Sequence, residues 1–151
     1  MATGFFEAAD DALRGFLPPK LRDFQSHRTG GNLKVWYGGD GREHYEVQFV
    51  GRAGDLHLEV GFHAEHRDPG RNEEVVARLV DKEKAWRKTL GRDAQAGAFL
   101  GRQSKWRRIS EVWEGEGLTD DAAIEAAERL ATDITVFEPL RRRTGPAGGP
   151  R

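Results

Sequence analysis

The stretch that most constrains the fold is residues 43–66, because it alternates apolar and polar side chains more regularly than any other part of the chain. Its apolar positions come at every second residue, first at Tyr45, Val47 and Phe49 and then at Leu56, Leu58, Val60, Phe62 and Ala64. A period of two is typical of β-strands that bury one face. Because residues 52–55 supply a turn, the stretch predicts an antiparallel hairpin.

The register of this hairpin follows from its two apolar sets, because a slip by one residue would turn every side chain to the other face. Closing the hairpin over residues 52–55 sets three apolar pairs opposite each other, namely Phe49 with Leu58, Val47 with Val60, and Tyr45 with Phe62. The neighbouring register of the same parity would set Glu46 against Glu59, and like charges directly opposite each other destabilise a sheet. We therefore predict the first register, which places His44 opposite His63.

A third strand is predicted just before the hairpin, over residues 33–37. A turn at residues 39–41 would place Lys34 opposite Glu46 and Trp36 opposite His44. The polar face of this meander then carries Trp36, His44, Glu46, His63 and Lys34. Exposed tryptophan is typical of contact surfaces, so we predict that this face binds a ligand or a protein partner. The alternative is that a loop or the first helix covers Trp36.

Apolar residues at helical spacing predict three helices. The first runs over residues 4–17 with Thr3 as its cap, the second over about 68–90, and the third begins at residue 119. Asp68 or Asn72 can cap the second helix. A further short turn of helix is predicted over residues 20–26, and Pro139 is expected to end or kink the last helix.

Two further strands are predicted over residues 98–100 and 105–113. The order α-βββ-α-ββ-α predicts an α+β fold, with an antiparallel sheet of about five strands and the helices packed on one face. The second face is then left to solvent, a ligand or a partner. We assign residues 1–140 to a single α+β domain and residues 141–151, which consist of Arg, Gly, Pro, Thr and Ala, to a disordered tail.

Composition limits the class of protein. The 151 residues are 37% hydrophobic and carry a net charge of −1, which suits one domain with a core. No apolar run approaches the about 20 residues that a membrane span needs, and the N-terminal residues lack the pattern of a secretory signal. The absence of cysteine excludes disulfides, thiolate metal ligands and a cysteine nucleophile. We expect a cytoplasmic protein without membrane contact, and its oligomeric state stays open.

Two histidines directly opposite each other on neighbouring strands suggest an alternative function. The Cβ atoms of such a pair lie about 5 Å apart, so His44 and His63 could share zinc or another divalent metal, with Glu65 or Glu46 as a carboxylate ligand. A centre of this kind with an open position activates water, which predicts a metal-dependent hydrolase. No HExxH motif accompanies these residues, and we prefer the explanation that they belong to an ordinary polar face that carries histidines.

Basic residues around a tryptophan suggest a third function. The cluster consists of Arg102, Lys105, Trp106, Arg107 and Arg108. Basic side chains can hold phosphates while an aromatic ring stacks on a base, so this segment predicts nucleic-acid binding. Because residues 111–140 are strongly acidic, a solvated face or pairing between the two segments explains the same pattern.

Common catalytic motifs are missing from the sequence. It contains no GxGxxG, no GxxxxGK[ST] and no GxSxG. We therefore predict a non-catalytic binding module for a protein partner, with no resident cofactor. A metal-dependent hydrolase and a nucleic-acid-binding protein remain the two alternatives.

Overall fold

The computed structural model describes residues 2–52, 54–98, 105–114 and 119–143. The elements are α1 (Ala2–Phe16), β1 (Gln25–Arg28), β2 (Asn32–Trp36), β3 (Glu43–Arg52), β4 (Asp55–Ala64), α2 (Pro69–Val80), α3 (Glu83–Leu90), β5 (Gln95–Ala98), β6 (Arg107–Trp113) and α4 (Asp120–Arg143). The strands form one antiparallel sheet in the order β1-β2-β3-β4-β6-β5. The α+β fold is therefore confirmed. Among the described helices, none is long and apolar enough to cross a membrane.

The central strands β3 and β4 pair in the predicted register. The observed pairs include Tyr45 with Phe62, Val47 with Val60, Phe49 with Leu58, His44 with His63 and Gln48 with Glu59. On the other side of β3, Lys34 of β2 lies opposite Glu46, as predicted. The two faces of the sheet centre therefore carry the side chains that the alternating pattern assigned to them.

The hydrophobic core lies between the apolar face of the sheet and the helices. Phe6 of α1 packs against Phe49 with ring centroids 4.9 Å apart. Phe137 of α4 lies 6.3 Å from Phe62 and 5.4 Å from Trp86 of α3, measured between ring centroids. These aromatic contacts attach the helices to one face of the sheet. Each large apolar side chain that is removed from water in this way contributes about 1.5–3 kcal/mol to the free energy of folding.

The sheet has a sixth strand that the sequence pattern did not predict. β1 (Gln25–Arg28) occupies a segment in which a turn of helix was predicted over residues 20–26, and only Pro19–Leu21 is helical, as a 3₁₀ turn. β1 is a short edge strand paired with β2, and three of its four residues are exposed. A polar edge strand has no apolar alternation to reveal it, which is why the prediction was wrong here.

The helix predicted over residues 68–90 is two helices, α2 and α3, separated by two residues. The indole Nε1 of Trp86 donates a hydrogen bond to the backbone carbonyl of Leu79 at 2.8 Å. This carbonyl belongs to the last turn of α2 and also accepts from the backbone N–H of Lys82 at 2.9 Å. Asp68 is the cap, and its side chain accepts from a backbone N–H of the first turn. Asn72 is instead buried inside α2.

The last helix continues past Pro139 to Arg143, so the prediction of a disordered tail was wrong for residues 141–143. Arg141 forms ion pairs with Glu138 one turn earlier and with Glu43 of β3. These contacts attach the end of α4 to the sheet. Residues 144–151 lie outside the described residues.

Smaller differences concern the ends of other elements. α1 begins at Ala2, so Thr3 lies within the helix and not before it. β5 ends at Ala98, where the predicted strand was to begin, and residues 99–104 lie outside the described residues. Element ends are the part of a fold that local patterns locate least well, since the last turn or pair depends on tertiary contacts.

A buried acid, Asp133, lies on α4 within the helical side of the core. Burial raises the pKa of its carboxyl well above the ordinary value, Arg129 lowers it, and Glu111 raises it. The guanidinium of Arg129 is already bonded to Glu111 and to the carbonyl of Leu90. Asp133 therefore lies in the core with little compensation for its charge.

We predict that Asp133→Asn stabilises the protein at neutral pH. Because the pKa of Asp133 is raised in the folded state, its carboxyl favours folding at pH values below the unfolded-state pKa of about 3.9. This contribution is lost as pH rises through the folded-state pKa. The neutral amide has no such dependence, so the free energy of unfolding should rise by roughly 1–3 kcal/mol at pH 7 and by much less at pH 4. Urea denaturation at both pH values measures this, with the exposed Glu128→Gln as control. An equal effect at both pH values would contradict it.

Candidate metal centre

The polar face of β3 and β4 brings four predicted site residues together. His44, Glu46, His63 and Glu65, which we name the His–Glu cluster, each offer one nitrogen or oxygen atom, and these four atoms all lie within 4.8 Å of one another. The register places His44 opposite His63, and their rings are nearly parallel, with centroids 5.5 Å apart. The alternating pattern of one hairpin is therefore sufficient to assemble most of the cluster.

The His–Glu cluster is largely buried. His44, Glu46 and His63 retain 1%, 3% and 1% of their surface, whereas the side chain of Glu65 retains 15%. The expected open face is therefore wrong at the first three positions. β4 is a central strand with β3 on one side and β6 on the other, so polar side chains from both neighbours surround those of β4.

One ring nitrogen of His44 is assigned by its surroundings. Nδ1 lies 2.8 Å from the backbone carbonyl oxygen of Gly41. A carbonyl can only accept a hydrogen bond, so Nδ1 carries a proton. Nε2 faces Oε1 of Glu46 at 3.0 Å and Oε2 of Glu65 at 3.6 Å. With Nδ1 protonated, Nε2 of the neutral ring carries a lone pair that faces these two carboxylates.

Glu59 orients the other histidine of the cluster. Nε2 of His63 donates to the Glu59 carboxylate at 3.0 Å, and Glu59 also accepts from Ser110 Oγ at 2.5 Å and Gln48 Nε2 at 2.6 Å. Burial raises the pKa of Glu59, but the hydrogen bonds and the charge of His63 lower it below its ordinary value. Glu59 is therefore an ionised acceptor. Nδ1 of His63 faces the cluster, 3.5 Å from Oε2 of Glu65.

Protonation of His63 balances the cluster when no metal ion is bound. Burial lowers the pKa of His63, but hydrogen bonds to Glu59 and Glu65, with the charges of Glu59 and Glu46, raise it to about 10. Burial raises the pKa of Glu65, but its contacts with His63, His44 and Lys34 lower this pKa below its ordinary value. The carboxylates thus require positive charge among them. A divalent ion could supply it and displace the proton from Nδ1, as ligand binding to a metal generally does.

Each member of the His–Glu cluster has a second contact that orients it. These contacts are the carbonyl of Gly41 for His44, Nδ2 of Asn32 for Glu46 at 2.9 Å, Glu59 for His63, and Nζ of Lys34 for Glu65 at 3.8 Å. For the two histidines, such outer contacts are typical of metal centres, where they select the tautomer and the direction of the ring.

Trp36 lies beside the cluster but is not an open contact platform. Its side chain is half-buried, and a Cβ atom placed on Gly41 would lie 3.2 Å from Cδ2 of the indole. Its Nε1 is buried, with no acceptor within hydrogen-bond distance in the part of the chain that the structure describes. Trp36 therefore packs over the turn whose carbonyl orients His44.

The predicted nucleic-acid segment does not form one continuous basic surface. Arg102 lies outside the described residues, and Lys105 and Trp106 are exposed. Arg107 forms an ion pair of 3.0 Å with a glutamate of α2. Arg108 is buried and donates to two backbone carbonyls at 2.9 and 3.0 Å. At least two of the five side chains are thus directed to contacts within the protein.

Glu59, Asn32 and Ser110 were missing from the sequence-based site. Glu59 shares the polar parity of His63 and lies four residues before it, so the pattern placed it on the correct face without indicating a role. Ser110 could not be assigned from sequence, because its contact with Glu59 depends on the pairing of β6 with β4.

Comparison of the chain with protein-family models, with curated proteins and with solved structures finds no match. Two imidazole nitrogens and two carboxylate oxygens are ligands that zinc and other divalent transition metals accept.

We predict that Gly61→Ala disrupts the sheet next to the cluster. A Cβ atom at Gly61 would lie 2.3 Å from Cβ of Ser110 and 2.4 Å from the carbonyl oxygen of Ile109. Because the obstacle includes backbone, β4 and β6 must separate, which should lower the free energy of unfolding by about 1–3 kcal/mol or more. Thermal melting measures the loss. Gly30→Ala is the control, since nothing lies within 4 Å of its added Cβ. Equal melting temperatures for the two variants would contradict this close approach.

Proposed function

We propose that the protein binds a divalent transition-metal ion through the His–Glu cluster. The observation that carries this proposal is the convergence of Nε2 of His44 and Nδ1 of His63 on the carboxylates of Glu46 and Glu65. Each histidine uses its other nitrogen to donate to an acceptor outside the cluster. This is the arrangement that leaves a lone pair for a metal once the second proton is lost.

The separations within the cluster support the proposal. Zinc binds histidine nitrogen and carboxylate oxygen at about 2.0–2.2 Å, so neighbouring ligand atoms around one ion are roughly 3.0–3.6 Å apart. Three of the nitrogen-to-oxygen separations in the cluster are 3.0, 3.6 and 3.5 Å, and all four ligand atoms lie within 4.8 Å of one another. One ion could therefore contact all four residues with small movements of their side chains.

Burial favours a binding role over hydrolysis. Metal centres that only bind are closed by protein ligands, whereas catalytic centres keep a position open for water and substrate. Three of the four ligand residues here are almost inaccessible. We therefore propose a non-catalytic protein whose ligand is a metal ion, in place of the protein partner that the sequence predicted, and place the hydrolase second. A protein partner on the sheet face that carries Trp36, His44 and His63, and a cytoplasmic location, remain predictions.

The decisive experiment measures metal in protein purified without a tag. We expect about one ion per chain by elemental analysis, and calorimetric titration of the chelator-treated protein with Zn²⁺, Mn²⁺ or Co²⁺ should show one site. A metal ion at a free concentration of 100 times its Kd would add about 2.7 kcal/mol to the free energy of unfolding.

Histidine variants locate the site. His44→Ala and His63→Ala should each weaken binding by about 100-fold or more, because each removes one of the ligands. His27→Ala is the matched control, since His27 is exposed on β1. Absence of binding in the wild type, or equal binding by all three variants, would overturn the proposed function.

Glu59→Gln tests the positioning contact behind His63. A neutral amide can still accept from Nε2, but it no longer favours the charge that His63 takes on when it binds metal. We expect metal affinity to fall by about 10- to 100-fold, with a changed visible spectrum of the Co²⁺ form. Competition with a chromophoric chelator measures the affinity, and Glu128→Gln is the control. An unaltered affinity and spectrum would show that Glu59 only stabilises the fold.

A further inference from the structure

Glu65 differs from the other three residues of the His–Glu cluster in position and in exposure. His44, Glu46 and His63 lie within β3 and β4, whereas Glu65 follows the last residue of β4. Its backbone N–H donates to the carbonyl of Arg42 at 2.7 Å, but its side chain is the most exposed of the four. Glu65 is therefore the cluster residue at which solvent reaches the site.

The carboxylate of Glu65 has an inner and an outer contact. Oε2 faces the cluster and lies 3.6 Å from Nε2 of His44 and 3.5 Å from Nδ1 of His63. Oε1 lies 3.8 Å from Nζ of Lys34, whose side chain is about one-third exposed. The same carboxylate thus links the buried nitrogens to a positive charge at the surface.

Lys34 is positioned to compete with a metal ion for Glu65. The register of β2 with β3 places Lys34 opposite Glu46, a second member of the cluster. Its ammonium supplies part of the positive charge that the cluster carboxylates require without a metal ion. The same charge repels a cation that approaches along the exposed side. At a partly exposed site, such a charge changes the association rate more than it changes the affinity.

We propose that Lys34 and Glu65 form a gate that controls exchange of the metal ion between the His–Glu cluster and solvent. Without metal, Lys34 holds the outer oxygen of Glu65 and acts as an internal counter-ion. When a divalent cation arrives, Oε2 of Glu65, which already faces the cluster, binds the ion, and the carboxylate gives up the contact of Oε1 with Lys34. This inference rests on the proposed function and assigns Lys34 as a positioning residue that opposes metal capture.

The test compares rates of metal capture by stopped-flow mixing. Zn²⁺ is the probe, and a chromophoric chelator reports its transfer to chelator-treated protein. Lys34→Met keeps the length of the side chain and removes its charge, so we expect association about tenfold faster than in the wild type. Lys34→Arg keeps the charge and should bind at close to the wild-type rate. Lys84→Met, on the exposed side of α3, is the matched control.

Salt and a second variant make the test specific. The advantage of Lys34→Met should shrink as ionic strength rises, because the repulsion it removes is screened within about 8–10 Å at 0.1–0.15 M salt. Glu65→Gln should lower both the association rate and the affinity, since it removes the ligand that closes the site. If Lys34→Met does not fold, Lys34→Gln replaces it with the same expected result.

The outcomes separate the gate from the metal site itself. Binding that depends on His44 and His63 but is no faster in Lys34→Met would overturn the gate and leave the proposed function intact. Slower binding in Lys34→Met would also overturn it, because Lys34 would then be needed to place Glu65 for capture. No binding of Zn²⁺ by the wild-type protein would overturn both.

Discussion

β3 and β4 pair along ten residues each, and this ladder determines both faces of the sheet. On one face it aligns Tyr45 with Phe62 for packing against α4, and on the other it stacks the rings of His44 and His63. A slip of one residue would exchange the faces, exposing the apolar set and forcing the histidines into the core. The hydrophobic core and the His–Glu cluster are therefore two consequences of one register.

The polar face concentrates charges that are expensive to bury. Glu46, Glu59 and two histidines lie almost without solvent, and such groups persist only when each has a partner. Glu59 accepts hydrogen bonds from three side chains, so its carboxylate is fully partnered within the fold. The region between His44, Glu46, His63 and Glu65 is different, since acceptors converge there and a proton or a cation must supply the positive charge.

The four residues of the His–Glu cluster are not equally buried, and the side chain of Glu65 is the most exposed of them. Glu65 lies just beyond the end of β4, and Lys34 reaches it from β2. Trp36, from the same strand as Lys34, packs over the turn that contains Gly41 and so covers the acceptor of His44. Residues of β2, β3 and β4 thus together form the His–Glu cluster and the contacts that orient it.

The local sequence pattern determined the three strands β2, β3 and β4. The two-residue period and the short turns were sufficient to predict three strands, their register, and the meeting of His44 with His63, because each depends on residues close together in the chain. Burial of the polar face was decided by the tertiary structure: Ser110 meets Glu59 across 51 residues of sequence only when β6 pairs with β4. The same holds for β1, an edge strand with no apolar period, and for the separation of α2 from α3, where the indole of Trp86 bonds to Leu79. A polar residue in an alternating strand indicates which face it occupies, but whether water reaches that face depends on neighbours that are distant in sequence.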